Sequence, residues 1–151
     1  MRVPAPAQAV LPARILLVDD NKLGLLARKA VLEEQGHSVT IAREGAEALE
    51  QFARGKFDLL ITDYKMPRMN GLELIRKVRE LDSGVPIILI SGYAEALGLT
   101  EAGTGADVVI AKSAHEVQQL VRSVNRLLRR PAPKKPVGSL ASKAKTRAQA
   151  G

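Results

Sequence analysis

Four separated stretches of the chain put a polar side chain directly behind an apolar run. Asp19 and Asp20 follow "ILLV", Asp63 follows "LLIT", Ser91 follows "IILI" and Lys112 follows "VVIA". Any one of them is explained by a strand that meets solvent. If the runs lie side by side, however, three carboxylates, a hydroxyl and an ammonium share one edge, and acids so gathered repel unless a cation joins them. A hard divalent ion such as Mg2+ suits such a place, because it prefers carboxylate oxygens and keeps several waters. An ion with water to spare leaves room for phosphate.

The elements that must bring these residues together can be read from periodicity. From Arg14 to Arg130, short β-rich runs alternate with longer stretches of helical period. "RILLV" (14–18), "SVTIA" (38–42), "FDLLIT" (57–62), "PIILI" (86–90) and "DVVIA" (107–111) read as strands. Most are apolar throughout, as strands covered on both faces are. Between them, Leu23, Leu26, Ala30 and Val31 set a first helical stripe that Gly36 stops. Ala46, Leu49, Phe52 and Ala53 set a second; Leu72, Ile75, Val78 and Arg79, with nearby Leu81, set a third that ends near Gly84. Residues 93–103 form a weaker fourth, interrupted at Gly98. Val117, Leu120, Val121, Val124 and Leu128 set a fifth, and "SAHE" ahead of it matches a capping box from Ser113 to Glu116. Five successive βα units predict a parallel sheet with helices on both faces, a three-layer doubly wound α/β fold. Such an open sheet binds ligands beyond the carboxyl ends of its strands, where the polar residues stand.

Composition narrows the setting. At 151 residues, one domain is expected, and 46% hydrophobic against 26% charged residues is an ordinary globular balance. Cysteine is absent, which excludes a disulfide framework and thiolate chemistry and fits a cytoplasmic protein. The start is cut by Pro4, Pro6 and Pro12, so residues 1–12 read as a disordered leader and not as a secretory signal. No apolar run approaches the roughly 20 residues that span a bilayer, so no membrane partner is expected. The net charge of +7 is concentrated at the ends, with Lys134, Lys135, Lys143, Lys145 and Arg147 standing in a tail without acidic partners. Residues 131–151 hold three prolines and no aromatics, and read as a disordered basic tail. The domain between, 13–130, is then nearly neutral.

"ILLVDDN", "DLLITDYKMPRMNGLELI", "PIILISG" and "VVIAKS" together resemble the receiver domain of two-component response regulators, over about residues 13–130. The resemblance implies a flavodoxin-like, CheY-like fold with a five-stranded parallel sheet of order 2-1-3-4-5. It also implies that Asp63 is the phosphoacceptor, taking a phosphoryl group from a histidine kinase or a histidine phosphotransfer protein. Asp20 would ligate Mg2+ directly, Asp19 through water, and Asp63 and the main-chain carbonyl of Lys65 would complete the protein ligands. Ser91 and Lys112 would bind the phosphoryl oxygens, Ser91 drawing its loop inward so that the changed surface docks a downstream protein. The module would not be a turnover enzyme beyond its own phosphorylation and dephosphorylation.

Three positions depart from the family pattern. Ser113 follows Lys112 where proline, often cis, is usual; a cis bond to serine costs about 2.5–4 kcal/mol, so a trans bond is expected. Val109 stands where the family commonly has an aromatic switch residue. Lys65 and Tyr93 flank the path of hydrolytic water by resemblance and are expected to shield the acyl phosphate and slow its loss. His37 and His115 read as solvated surface histidines. Two other functions compete. A phosphatase of the haloacid dehalogenase type would also use strand-end carboxylates and Mg2+, but wants Asp-x-Asp where Asn21 stands two residues after Asp19. A receiver whose basic tail binds nucleic acid would show salt-sensitive, sequence-independent affinity.

Overall fold

The four apolar runs that end in polar residues lie next to one another. In the computed structural model, which describes residues 11–92 and 94–129, β1 (Arg14–Val18), β2 (Ser38–Ala42), β3 (Leu59–Asp63), β4 (Ile87–Ser91) and β5 (Val108–Ala111) form one sheet of order β2-β1-β3-β4-β5. Every pairing is parallel, with Leu16 beside Leu60, Asp63 beside Ile90 and Ser91 beside Ala111. The carboxyl ends of β1, β3, β4 and β5 therefore share one edge. β1 and β2 have the bounds expected from sequence, whereas β3, β4 and β5 each begin later than expected. β3 and β4 also run one residue further, taking in Asp63 and Ser91.

The continuous apolar runs divide between two cores because neighbouring side chains in a strand point to opposite faces. Leu16, Val18, Leu60, Ile87 and Leu89 pack with α2 (Gly45–Arg54) and α3 (Gly71–Leu81) through Ala48, Phe52, Leu74, Ile75 and Val78. Ile15, Leu17, Leu59, Ile61, Ile88 and Ile90 pack with α1 (Lys22–Glu34) and α6 (Glu116–Leu128) through Leu25, Leu32, Leu120 and Val124. Residues Pro12–Leu128 make one compact unit. Among the described residues no helix is long and apolar enough to cross a membrane.

The helices correct the sequence reading in phase. On α1 the buried stripe is Leu25, Arg28 and Leu32, while Leu23 and Leu26 face solvent at 80% and 44% exposure and Ala30 is also exposed. The true stripe was hidden because its middle position is an arginine. On α2, Ala46 and Ala53 are exposed and Ala48 takes the inward place beside Phe52. On α6, Leu120 and Val124 are buried as expected, but Val117 is exposed. The weak fourth stretch is two short helices, α4 (Ala94–Leu97) and α5 (Glu101–Thr104), separated at Gly98, whose φ of +64° a helix cannot accommodate.

Two local expectations also change. Ser113 does not form a capping box: its hydroxyl accepts from His115 N–H at 3.1 Å, and the Glu116 carboxylate turns away to Arg28. A capping box does form at α3, where Asn70 and Glu73 bond each other's backbone N–H. His37 is not a surface residue. It is buried, with Nδ1 accepting the Ala13 N–H at 3.1 Å and Nε2 unpaired, and burial pushes its pKa down. His115 is exposed, as expected. No cis peptide occurs among the described residues, so Lys112–Ser113 is trans.

Candidate functional site

Asp63 is carried into the site by its strand. The four residues before it, Leu59, Leu60, Ile61 and Thr62, are fully buried. Each fully buried Leu or Ile contributes about 1.5–3 kcal/mol, so the run places the acid at the sheet edge despite the cost of desolvating it. Asp63 is 4% exposed. Burial pushes its pKa up; Lys112 pulls it down and Asp19 adds to the rise, leaving it above the ordinary value of 3.8. The Lys112 ammonium lies 3.0 Å from Asp63 Oδ1, close enough to pair, yet the approach leaves Oδ1 without an aligned hydrogen bond.

The loop behind Asp63 is shaped by backbone contacts. Gly71 N–H donates to the Tyr64 carbonyl at 2.7 Å, and a Cβ at Gly71 would meet the Asp63 carbonyl oxygen at 2.5 Å, so only glycine allows α3 to start this close to the strand. Arg68, a residue that sequence reasoning passed over, sits at φ +69° with Met69 N–H bonded to the Pro67 carbonyl at 2.7 Å. A non-glycine residue there is strained, and the Arg68 side chain is tied across to Glu44, the N-cap of α2.

Asp19 and Asp20 leave β1 in different directions. Asp19 is 1% exposed; its Oδ1 accepts the Asn21 N–H at 2.9 Å and its Oδ2 accepts from Arg28 Nη1 at 2.5 Å. Asp20 is exposed. Asn21, where the dehalogenase alternative needs a carboxylate, caps α1 by accepting the Gly24 N–H. One oxygen from each of Asp19, Asp20 and Asp63 lies within 4.8 Å of the others. Three acids this close, with Asp63 Oδ1 buried and lacking an aligned donor, make a donor set that fits a hard divalent cation. Asp20, Asn21, Asp63, Lys65, Met66, Pro67, Ser91, Gly92 and Lys112 line an open cavity of about 710 Å3 at this edge.

The structure thus brings Asp19, Asp20, Asp63, Lys65, Ser91 and Lys112 to one place. Ser91 is buried at the end of β4 and Lys65 is exposed on the rim. Val109 lies on β5, partly buried and packed on the core shared with α2 and α3. Tyr93, the leader to residue 10 and the tail beyond Arg129 lie outside the described residues. Sequence reasoning missed Arg28 and Glu116. Arg28 is 7% exposed and joins Asp19 to Glu116, with Nε donating to Glu116 Oε2 at 2.7 Å. Desolvation opposes its charge, but hydrogen bonding and attraction from Glu116 and Asp19 prevail and raise its pKa. An arginine at the i+3 place between Leu25 and Leu32 was the available signal.

Residues 15–125 match the response regulator receiver domain family. The chain belongs to that family. It is 35% identical over 122 residues to response regulator MprA of Mycobacterium leprae, covering 80% of this chain and 53% of MprA. The chain spans about half the length of the MprA proteins it matches. Among solved structures it is similar to response regulator TrrA of Thermotoga maritima, crystallised in complex with Mg2+ and BeF. The identity is 34% at a TM-score of 0.69, covering 76% of this chain and 98% of TrrA. It is also similar to chemotaxis response regulator CheY4 of Vibrio cholerae, with 27% identity, a TM-score of 0.71, and 78% and 100% covered. This is therefore a receiver domain with an acidic pocket at the carboxyl ends of its strands, in the order 2-1-3-4-5 expected from the resemblance.

Proposed function

We propose that this receiver accepts a phosphoryl group on Asp63 from a histidine kinase or a histidine phosphotransfer protein and passes the change to a protein partner. The reading rests above all on one relation: a buried carboxylate with the ammonium of Lys112 at 3.0 Å, in a cavity that Asp20 also lines, and with an oxygen of Asp19 and of Asp20 within 4.8 Å of it. An Asp63 oxygen attacks phosphorus in line, the phosphorus–nitrogen bond of the phosphohistidine donor breaks, and the imidazole leaves. Lys112 then faces the phosphoryl oxygens, and the Ser91 hydroxyl can donate to one of them.

Asp20, Asp63 and the Lys65 carbonyl, with Asp19 behind them, would hold Mg2+, which when bound neutralises charge building on the phosphoryl oxygens. TrrA was crystallised with that ion and BeF, which supports carrying the same ligand class to this pocket. Lys65 lines the cavity, and its role, with Tyr93, would be to obstruct water and slow hydrolysis of the acyl phosphate. Movement of Ser91 would alter the surface of β5 and the short helices α4 and α5, which is where a downstream protein would sense phosphorylation.

The test is incubation with MgCl2 and acetyl phosphate followed by intact-mass measurement. The wild type gains about one phosphate, and Asp63→Asn gains none. A gain that persists in Asp63→Asn, or no gain in the wild type with either acetyl phosphate or a phosphorylated histidine donor, refutes the reading.

A further inference from the structure

We infer that Arg28 is a resident cation that competes with a divalent metal ion for the Asp19 carboxylate, and that Glu116 sets how strongly it competes. The inference rests on the proposed Mg2+ site and concerns two residues outside that site's ligand set. Both oxygens of Asp19 are already engaged, Oδ1 by the Asn21 N–H and Oδ2 by Arg28 Nη1. An Asp19 whose charge is shared with a guanidinium offers less to a metal than a free carboxylate does. Lys112 pairs with Asp63 by charge, without an aligned hydrogen bond, so the three acids meet two built-in cations before any ion arrives.

Arg28 is held in place. It is buried, and a Cβ at Gly24 would lie 3.2 Å from Asp19 Oδ2 and 3.5 Å from Arg28 Nη1, so the backbone of α1 covers the contact. A guanidinium buried in this way must be balanced where it lies. Glu116, at the start of α6, supplies that balance at 2.7 Å and draws the positive charge away from Asp19. The arrangement predicts opposite effects from two neighbours. Removing the Arg28 charge should strengthen metal binding, and removing the Glu116 charge should weaken it, although Glu116 does not face the metal.

A structural clamp between α1 and α6 would behave otherwise, since breaking it from either side would loosen Asp19 and weaken binding alike. Titration of the full chain with MgCl2 by isothermal calorimetry at constant pH separates the two. Arg28→Met should lower Kd by about fivefold or more, and Glu116→Gln should raise it about threefold, as expected for unit charges acting through a partly buried medium. Arg28→Lys, which keeps the charge, should stay near the wild type. Circular dichroism confirms folding, and Glu116→Gln with Arg28→Lys carries the test if Arg28→Met does not fold. Weaker or unchanged binding in folded Arg28→Met, or unchanged binding in Glu116→Gln, overturns the inference. Asp20→Asn locates any failure. If the wild type saturates and Asp20→Asn does not while Arg28→Met matches the wild type, the metal site stands and the role of Arg28 falls. If the wild type, Asp20→Asn and Arg28→Met all show no saturable binding, both fall.

Discussion

Lys112 reaches Asp63 over the end of β4, bringing its ammonium to 3.0 Å from Oδ1 although the strand it follows, β5, is not paired with β3. The ion pair spans the strand between, which Ser91 ends, and all three residues line the same cavity. Burial nevertheless outweighs the lysine and holds the Asp63 pKa above 3.8. The charged carboxylate is thus a net cost to the folded protein when no cation is bound.

Asp63→Asn should therefore stabilise the metal-free protein at neutral pH, by about 1–3 kcal/mol if the cost is that of one poorly satisfied buried group. The sign has a pH signature. A raised folded pKa means that the folded state holds its proton longer than the unfolded one, so wild-type stability falls as pH rises from 3.8 through the raised value. The advantage of Asn should shrink on acidification across that window. Urea unfolding of both proteins at a series of pH values, in the presence of a chelator, measures the difference; a destabilised Asn variant at neutral pH would contradict it.

His37 titrates with the opposite sense. Its pKa is depressed below 6.5 by burial, and the neutral ring accepts the Ala13 N–H, which protonation at Nδ1 would oppose. Stability contributed by neutral His37 is present above pH 6.5 and is lost as pH falls toward the depressed value, at about 1.4 kcal/mol for each unit separating the two values. Asn at this position keeps an acceptor without a charge change. The difference in stability between wild type and His37→Asn should be flat above pH 6.5 and move in favour of Asn below it.

Gly71→Ala tests the close approach between α3 and Asp63. The added methyl group meets the end of the Leu89 side chain and two backbone atoms, the Asp63 carbonyl oxygen and Tyr64 Cα, that cannot move without shifting the strand end. Overpacking of this kind costs about 1–3 kcal/mol. Because the displaced atoms belong to the proposed phosphoacceptor, phosphate uptake from acetyl phosphate should slow at temperatures where the variant is still folded.

Arg79 offers a control at the other end of the sheet. It donates to the carbonyls of Val85 at 2.6 Å and Gly105 at 2.9 Å and pairs with Asp107, tying the end of α3 to the entries of β4 and β5. Arg79→Met leaves carbonyls without their donor and should cost about 1–3 kcal/mol in urea unfolding. Phosphate uptake by the folded variant should remain at the wild-type rate.

The strand-end residues and the alternation of runs were enough to read a doubly wound sheet and to place Asp19, Asp20, Asp63, Ser91 and Lys112 on one edge. Apolar runs of strand length must be covered on both faces, and a parallel sheet leaves their polar successors side by side. That logic is local to each run, so it could be read without coordinates. What could not be read is any contact that links distant parts of the chain. The inward face of α1 was misassigned because Arg28 counts as polar in a periodicity, yet its charge is balanced by Asp19 and by Glu116, 88 residues away. Glu116 was assigned to the nearer Ser113 for the same reason. His37 was taken as exposed because nothing beside it reveals that Ala13 covers it with a backbone donor. Burial of a charged or polar group depends on a partner that only folding supplies. Tertiary structure alone therefore decided which charges stand inside this molecule.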